Sequence, residues 1–431
     1  MKSVPLHDPT HFELIPGLWK GEREPLISAK VLRGTNFAGD GLLDFDDVAE
    51  LEVEGRHFES RRLQPGDIIV ERSGGGPKQP VGRVALFDPP DGSAYFCSNF
   101  TTTIRVRDRS KFDPAYVALY LHGLYLQGVT ETLQRATTGI RNLDWQGYLR
   151  FEVPVRALGQ QRLLVRLIGG VRTAYRNEQR LVRTFTELKR AAMRELFTRG
   201  LRGEPQKETE IGLVPESWEV AKLKSIAQAR GGTSFPPTLQ GKAHGDFPFY
   251  KVSDMNLPGN ELEMHAAANW ITSSELDFLR AKPFPPETII FPKVGGALHT
   301  NKKRMLTAES VLDNNIMGVT VKDRFRCLPR FLFAWFQTVN LSAIANAGPL
   351  PSINGNQLYE LDVPVPSIDE QREIVTILDA IDRKIELHRK KRAVTEELFK
   401  ALLHKLMTGE IRVADLDLSA LEPQGLAQAT P

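Results

Sequence analysis

Two glycine-rich stretches carry the residue types best suited to chemistry, RSGGGPKQPVGR at 72–83 and KVGGALHTNKKR at 293–304. Each follows a short apolar run, at 68–70 or 289–290, which predicts a strand that leaves into a glycine loop. Such a loop can set backbone N–H groups and cations against phosphates, and Gln or Arg can hydrogen-bond a base edge. We therefore predict nucleic-acid binding by the polar residues of both stretches, namely Arg72, Lys78, Gln79, Arg83, Lys293, His299, Asn301, Lys302, Lys303 and Arg304.

A second pair of polar stretches, TTGIRNLD at 137–144 and PLPSINGN at 349–356, ends shortly before two long helical patterns begin. Taken singly, such a stretch is more often an ordinary solvent-exposed turn. Because both halves of the chain carry this chemistry at matching places, we favour the binding interpretation. The predicted nucleic-acid contacts here are Thr137, Thr138, Arg141, Asn142, Ser352, Asn354 and Asn356.

Three motifs suggest enzymes, but their surroundings argue against catalysis. FAGDG at 37–41 has the form of an S-adenosylmethionine loop, yet no amphipathic helical pattern follows it. DPPD at 88–91 resembles the tetrapeptide of amino-methyltransferases, but Asp91 has no ring to stack on a flipped base. ELK at 187–189 has the form of a nuclease motif without an upstream acidic partner. Since no phosphate loop and no metal-ligand spacing stands out, we predict no catalytic residue, no metal ligand and no cofactor bound by this chain.

Length and composition are those of a globular protein with several domains. The chain has 431 residues, of which 41% are hydrophobic and 25% charged, and this length suggests about two to four domains. The net charge is only +3, so any nucleic-acid surface must come from local clustering. Two cysteines, Cys97 and Cys327, cannot build a disulfide framework or a zinc site, and we expect both to be buried. Neither a signal peptide nor an apolar run of about 18 residues is visible, which predicts a cytoplasmic protein.

Two long helices are indicated by a repeated junction. VPVRALGQQRLLV at 153–165 recurs as VPVPSIDEQREIV at 363–375, and 153–199 align with 363–409 without a gap, with eleven identities. Apolar residues at spacings of three and four predict two helices of about 40 residues, each about 60 Å long. Such a helix must bury its apolar stripe, and the simplest partner for one stripe is the other. The predicted contact residues are Leu164, Leu167, Val171, Phe185, Leu188, Ile374, Ile377, Ile381, Leu398 and Leu402.

The segments before the helices repeat more weakly, since IIVERSGG at 68–75 corresponds to IIFPKVGG at 289–296. We therefore predict an α+β fold with a pseudo-twofold internal repeat, in which two α/β domains with mixed sheets alternate with two long helices. The predicted segments are a first domain at 1–150, a helical region at 151–203, a second domain at 204–357, a second helical region at 358–412 and a flexible tail at 413–431.

At this point the chain resembles a known family, the specificity subunits of Type I restriction–modification systems. The resemblance covers about residues 15 to 413 and is most specific at the helical junctions. The similar stretches are TTGIRNLDWQGYL before the first VPV, IGLVPESWEV at 211–220, VPVPSIDEQREIVTILDAID at 363–382 and LFKALLHKLMTGEIRV at 398–413. The first junction departs from the family pattern, because RALGQQRLL replaces an acidic segment.

The resemblance implies two target recognition domains, each of which binds one half of a bipartite, asymmetric DNA site. The helices would form an antiparallel coiled coil that sets the spacing between the domains. Two methylation subunits would dock on the helices and two restriction subunits would join them, so that the partners methylate adenine or cleave unmodified DNA. S-adenosylmethionine and ATP with Mg would be used by those partners, and this chain would be no enzyme.

The residues leave two alternatives open. One is a non-catalytic coiled-coil scaffold with two protein-binding domains, which would bind DNA without sequence preference. The other is a self-contained DNA methyltransferase, which S-adenosylmethionine would label when crosslinked to this chain alone.

Overall fold

The computed structural model describes residues 2–76, 79–137, 140–346 and 350–411, except the side chains of 136 and 137. The chain divides into two compact units, here called unit 1 (residues 1–180 and 389–431) and unit 2 (residues 181–388). Each long helix therefore contributes one half to each unit. The first long helix spans Leu158–Arg199 and the second spans Ile368–Thr408, which agrees with the predicted pair.

Unit 1 is built from short strands around one central helix. Its strands are β1 Ser3–Pro5, β2 Phe12–Pro16, β3 Leu26–Leu32, β4 Ala49–Glu54, β5 Ile68–Glu71, β6 Ser73–Gly75, β7 Val84–Leu86, β8 Tyr95–Cys97, β9 Thr101–Val106, β10 Gln134–Thr137, β11 Ile140–Leu143 and β12 Glu152–Pro154. Its helices are α1 Phe58–Arg61, α2 Pro114–Leu126, α3 Trp145–Tyr148, the first half of α4, the first long helix, and the second half of the second long helix. The sheets have the orders β2-β9-β5-β7, β4-β3-β8, β10-β11-β6 and β1-β12.

Unit 2 follows a closely similar plan. Its strands are β13 Gln206–Thr209, β14 Gly212–Pro215, β15 Glu219–Lys222, β16 Ala227–Gly231, β17 Phe247–Tyr250, β18 Glu263–Met264, β19 Trp270–Ile271, β20 Ile289–Pro292, β21 Arg304–Leu306, β22 Val311–Leu312, β23 Ile316–Val321 and β24 Asp362–Val365. Its helices are α5 Leu223–Ile226, α6 Ser273–Phe278, α7 Pro329–Thr338, α8 Leu341–Ile344, α9 Gly355–Tyr359, the second half of α4 and the first half of α10, the second long helix. The sheets have the orders β16-β23-β20-β21-β18, β19-β17-β22, β15-β24 and β13-β14.

Both units contain mixed sheets, as predicted, and in unit 2 the five-stranded sheet is also mixed because β18 pairs parallel with β21. In unit 1 β3 pairs parallel with β8 and antiparallel with β4, and in unit 2 β17 pairs parallel with β22 and antiparallel with β19. The strand before each long helix pairs antiparallel in the same way, β12 with β1 and β24 with β15. The fold class is thus mixed, with short sheets and two long helices.

Each core joins a sheet, a domain helix and the long helices. In unit 1 the buried residues come from β5, from α2 and from both long helices: Ile68, Val70, Tyr116, Leu121, Leu164, Ile168, Phe399 and Leu403. In unit 2 they come from β20, from α7 and from both long helices: Ile289, Phe291, Phe331, Phe336, Leu196, Phe197, Ile374 and Leu378. Burial of apolar surface contributes about 25 cal/mol of free energy per Å². This burial holds each long helix against its own domain. Both cysteines are buried and free, as expected.

The residues predicted to form the contact stripe of the long helices differ in their burial. Leu164, Leu167 and Ile374 are buried, and four other predicted residues are half-buried, namely Val171, Phe185, Ile381 and Leu402. The prediction was wrong for three residues whose exposed fractions are 38–50%, namely Leu188, Ile377 and Leu398.

The reason for these errors is a single step along the helix. Leu378 and Phe399 are buried instead of the residues before them, since neighbouring positions on a helix point about 100° apart. After Leu188 the inward position belongs to Lys189, whose Nζ lies 2.7 Å from an Asp382 carboxylate oxygen. A half-buried ion pair therefore occupies a place that the apolar pattern had assigned to leucine.

A buried glutamine starts each long helix with the same hydrogen bonds. Gln161 is fully buried; its Oε1 accepts from the Asp113 backbone N–H at 2.8 Å, and its Nε2 donates to the Lys111 and Arg156 carbonyls. In unit 2 the equally buried Gln371 accepts from the backbone N–H of Leu328 and donates to two carbonyls in the same order. Asp113 and Leu328 directly precede α2 and α7. The glutamine therefore locks the N-terminus of each domain helix to the start of the long helix.

We predict that Gln161→Ala lowers the free energy of unfolding by roughly 2–4 kcal/mol, because it leaves a buried N–H donor and two carbonyls without partners. The neighbouring exposed Gln160 is a matched control, and Gln160→Ala should change this free energy by less than about 0.5 kcal/mol. Chemical denaturation of both variants measures the difference. Equal destabilisation by the two substitutions would contradict the proposed role of the buried amide.

Candidate nucleic-acid interface

In unit 1 the two polar stretches predicted from the sequence meet on one sheet. Strand β11 pairs antiparallel with β6, with Asn142 opposite Ser73 and Arg141 opposite Gly75. The Leu143 N–H donates to the Arg72 carbonyl at 2.8 Å, and the Ser73 hydroxyl donates to Asn142 Oδ1 at 2.6 Å. Residues about 70 positions apart in sequence thus form one continuous surface.

Arg72 is held in place from several sides. Its guanidinium lies 5.0 Å from the centre of the Trp145 ring, and its Nη1 donates to Thr102 Oγ1 at 3.3 Å. Its own N–H donates to the Phe100 carbonyl at 2.7 Å. Burial lowers the pKa of the Arg72 guanidinium. This arrangement presents a fixed guanidinium, the group best suited to contact a phosphate or a guanine edge.

The turn after β6 presents further polar groups. Gly76 and Gln79 exchange backbone hydrogen bonds of 3.0 and 3.1 Å, and the Gln79 side chain is exposed. Lys78 and Thr138 lie outside the described residues, as does the side chain of Thr137. Those three predictions stay predictions.

Unit 2 joins its own two stretches through the same backbone link. The Ile353 N–H donates to the Lys293 carbonyl at 2.9 Å, as Leu143 does to Arg72, and the Gly295 N–H donates to the Pro351 carbonyl at 2.8 Å. Val294 and Ser352 lie opposite one another in an antiparallel bridge. Lys293, at the position that corresponds to Arg72, is half-buried. In each unit, therefore, a glycine loop is joined to the polar segment that precedes the adjacent strand and long helix.

Arg83 was predicted as a contact, but the structure places it within the domain. Its Nε and Nη2 donate to the carboxylate of the buried Glu71 at 2.9 and 2.6 Å, and Nη2 also donates to the Gly34 carbonyl at 2.8 Å. Its guanidinium lies 5.2 Å from the centre of the Phe37 ring. The reason for the correction is that Glu71 needs this cation, because a buried carboxylate is costly without one.

In unit 2 the loop after β20 is anchored by residues that were also predicted as contacts. Lys303 is 1% exposed; its ammonium donates to Asn301 Oδ1 at 2.9 Å and to the Val339 carbonyl. Asn301 Oδ1 also accepts from the Leu341 N–H at 2.9 Å. Arg304 donates to two backbone carbonyls, those of Lys303 and Met255. These three side chains hold the loop to neighbouring segments, which corrects their predicted role.

Asn354 also has a structural role. Its Oδ1 accepts from the Gln357 N–H at 3.0 Å, and the Gln357 side chain accepts from the Asn354 N–H, so the pair forms a capping box at α9. The remaining predicted residues with described side chains have half-buried or exposed side chains and stay predictions: Arg72, Gln79, Arg141, Asn142, Lys293, His299, Lys302, Ser352 and Asn356. Among them His299 Nδ1 contacts the Ser342 hydroxyl at 3.1 Å, and Lys302 contacts Asn256.

Three residues beside this surface were missed from the sequence. Arg135 lies in β10, with 69% of its side chain exposed and a 2.9 Å contact to Asp144. Trp145 lies beneath Arg72 and stacks on Tyr148 at 5.4 Å between ring centres. Phe100 is 45% exposed beside the start of β6. Arg135 could have been found, because it lies two residues before the polar stretch, but no sequence signal separates an exposed Phe from a core one.

Comparison with known proteins points in one direction. A family model described as Type I restriction modification DNA specificity domain matches residues 215–397. The Type I restriction enzyme MjaVIII specificity subunit of Methanocaldococcus jannaschii is 23% identical over 332 residues, which cover 74% of this chain and 75% of that protein. The putative MjaX specificity subunit of the same organism is 21% identical over 393 residues, which cover 87% and 85%. This chain is similar to Type I specificity subunits over most of its length.

Solved structures of that family have a similar fold. The S subunit of a Type I restriction–modification system from M. genitalium gives a TM-score of 0.56 at 16% identity, with 94% of this chain and 95% of that chain covered. A structure that addresses complex assembly and conformational transition of a Type I system gives 0.50 at 18% identity, with 94% and 99% covered. The fold of the specificity-subunit family therefore extends over nearly the whole chain.

In the described part of the chain no metal site is formed. No group of three or more His, Cys, Asp or Glu side chains there is arranged to hold a metal ion. No helix in the same ranges combines the length and the apolar character needed to cross a membrane. The FAGDG stretch forms a closed turn, in which Phe37 pairs with Leu43 and Asp40 is buried.

We predict a pH signature for Lys303, whose side chain is buried in unit 2. Burial lowers the pKa of Lys303 from 10.5 to about 8. Between those values the unfolded chain keeps a proton that the folded chain releases, so this residue makes stability rise with pH. Urea unfolding of the wild type and of Lys303→Met from pH 7 to 10 should show the wild type gaining stability relative to the variant above about pH 8. A constant difference across that range would contradict the shift.

Proposed function

We propose that this chain is the DNA sequence-recognition subunit of a Type I restriction–modification complex, and that each unit binds one half of a bipartite, asymmetric site. The observation that carries the proposal is the repeated backbone link, Leu143 to Arg72 and Ile353 to Lys293, which joins a glycine loop to a second polar stretch in both units. Similarity to Type I specificity subunits is the reason for interpreting this pair of surfaces as DNA-binding. The function assigned is recognition, since the family supplies the non-catalytic subunit of such complexes.

We further propose that the two units are an internal repeat with pseudo-twofold symmetry. The matched glutamines and the matched sheet orders support this. A close backbone approach supports it too, because a Cβ at Gly17 would lie 1.8 Å from the Ser98 carbonyl oxygen and one at Gly232 would lie 2.2 Å from the Asp313 oxygen. One chain with two similar but unequal surfaces suits an asymmetric site.

The long helices are proposed to form an antiparallel coiled coil that sets the spacing of the two half-sites. Within unit 2 the contacts run in opposite directions along the two helices. Phe185 stacks on His388 at 5.3 Å between ring centres, and Lys189, one turn later, contacts Asp382, earlier in its helix. A stiff spacer makes a duplex satisfy both surfaces at once, so spacing is tested together with sequence.

The partners follow from the family and belong to this proposal. Two methylation subunits would dock on the helices, and two restriction subunits would join them in the cytoplasm. S-adenosylmethionine and ATP with Mg would act in those partners. Apolar side chains on the long helices that face solvent, Leu188 and Leu398 among them, are available for such docking. We also propose that the domains and helical regions have the boundaries predicted from the sequence.

A domain exchange tests the modular part of the proposal. Replacing residues 217–357 with the corresponding segment of another specificity subunit should change one half of the selected site and leave the other half unaltered. Selection of bound duplexes from a randomised pool, with the methylation subunits present and salt stated, measures both halves. The unmodified chain in the same complex is the control. Altered sequence in both halves would refute modular recognition, and binding without any sequence preference would indicate a scaffold.

Adjacent lysines in unit 2 give a matched pair for phosphate contact. Lys302 is half-buried with a neutral partner, Asn256, whereas Lys303 is buried. If Lys302 contacts a phosphate, Lys302→Met should reduce the slope of log affinity against log salt by about 1, while Lys303→Met should leave that slope unchanged. Titrations of the complex with its selected duplex at several salt concentrations provide the slopes. A reduced slope for Lys303→Met alone would reverse the assignment of the two residues.

A further inference from the structure

A buried ionic contact ties the domain of unit 1 to the first long helix. Asp40 is 3% exposed, and its carboxylate accepts hydrogen bonds from Arg176 on that helix, through Nε to Oδ2 and through Nη2 to Oδ1 at 3.0 Å. The Arg176 side chain is 38% exposed, so its fork reaches inward from the helix surface. A two-pronged bond of this kind restricts rotation as well as distance.

Other groups around the carboxylate reinforce this contact. Arg172 and Tyr175 on the same helix and His122 on α2 also lie within electrostatic range of Asp40. Burial lowers the pKa of Arg172, and burial lowers the pKa of His122 to about 4, so the imidazole is neutral at physiological pH. The charge of Asp40 is therefore balanced by helix arginines and not by the histidine.

The conformation of the turn at 37–41 places Asp40 against the first long helix. Gly41 has φ +81°, which favours glycine, and a Cβ there would lie 2.9 Å from the His122 ring. Its carbonyl accepts from the Leu86 N–H at 3.1 Å, which attaches the turn to the edge of the β7 strand. The glycine pattern that resembles a cofactor loop is thus explained by a tight turn that carries one acid.

The same turn is connected to the candidate DNA-binding loop. Phe37, at its start, lies under Arg83, and Arg83 bonds to Glu71 at the end of β5. The candidate loop begins at the next residue, Arg72. A chain of buried contacts therefore runs from the loop through Arg83 and the turn to Arg176 on the helix.

From this chain of contacts we infer that Asp40 is a positioning residue, whose bond to Arg176 fixes the orientation of the first recognition domain on its helix. The inference rests on the proposed function, in which the helices set the gap between the half-sites. Asp40 need not touch DNA. Its role is to prevent the domain from tilting, so that the complex rejects sites whose gap is one base pair too long or too short.

Unit 2 uses a different solution at the corresponding edge. There the Leu262 carbonyl accepts from the Met305 N–H at 2.9 Å, as Gly41 does from Leu86. The next residue, Glu263, bonds to Arg330 on α7, and Arg330 lies 3.8 Å from Asp379 on the second long helix. This connection is indirect and more exposed, with side-chain exposures of 29%, 46% and 36%. The direct, buried contact in unit 1 is therefore the stronger constraint.

The experiment compares four variants of the full chain, each assembled with the methylation subunits. Asp40→Asn keeps the shape and removes the charge, Arg176→Gln removes the cation, and Arg176→Lys keeps the charge without the fork. Arg199→Gln is the control on the same helix, since Arg199 has only a surface partner, Glu195, with side-chain exposures of 72% and 59%. Selection from a randomised duplex pool reports the sequence of each half-site and the distribution of gap lengths.

The expected result is a loss of gap selectivity with unchanged half-sites. The preference for the wild-type gap over gaps one base pair longer or shorter should fall roughly tenfold in Asp40→Asn and Arg176→Gln, since a buried ion pair is broken, and less in Arg176→Lys. For Arg199→Gln the preference should stay within about twofold. An unaltered gap preference in Asp40→Asn would overturn the inference, and so would loss of the first half-site sequence, which indicates a structural role inside the domain. If the wild-type complex itself selects no sequence, the proposed function fails instead.

Discussion

The constraint on which the rest of the structure depends is that a helix of about 40 residues cannot leave its apolar stripe in water. Each unit meets this constraint by packing its halves of the two long helices against its own domain helix. Leu164 shares a core with Phe399, and Phe197 shares one with Ile374. In each unit, therefore, one hydrophobic core contains residues of both the domain and the long helices, and the domain residues in that core are positioned by it.

Apolar packing alone does not set the register of such a helix, because hydrophobic contact is not directional. The buried glutamines supply what is missing. Gln161 and Gln371 each bridge three backbone groups from two segments, so a shift of one residue would leave several buried polar groups unpaired. The same hydrogen-bond set at the start of both helices makes the domain helices begin at equivalent places. The directional hydrogen bonds thus fix the register of the long helices, whereas the hydrophobic cores only hold the helices against the domains.

Features with a local signal could be predicted from the sequence, and features that depend on distant partners could not. Helical periodicity and the repeated junction are local, so two long helices of about 40 residues were predicted, and the structure has helices of 42 and 41 residues. The burial of Lys303 depends on a carbonyl 36 positions away, at Val339, and that of Arg83 depends on Glu71, across a sheet pair. Leu398 was chosen over Phe399 because adjacent apolar residues give no indication of which one faces inward. The polar loops could be identified from their composition. Which of their cations are exposed and which stabilise the fold depends on pairing between strands, so the sequence did not show it.

The repeated frame also explains how two unequal recognition surfaces can arise from one plan. The backbone link is the same in both units, but the residue at its centre is a guanidinium in one, Arg72, and an ammonium in the other, Lys293. Arg72 is supported by the Trp145 ring and offers a planar fork, whereas a lysine offers a point charge on a flexible stem. Since the frame is held by glutamines and core residues outside these loops, loop chemistry can differ between the units without disturbing either core. A chain built in this way would present two different polar surfaces on the same backbone link, which is what the proposed asymmetric DNA site requires.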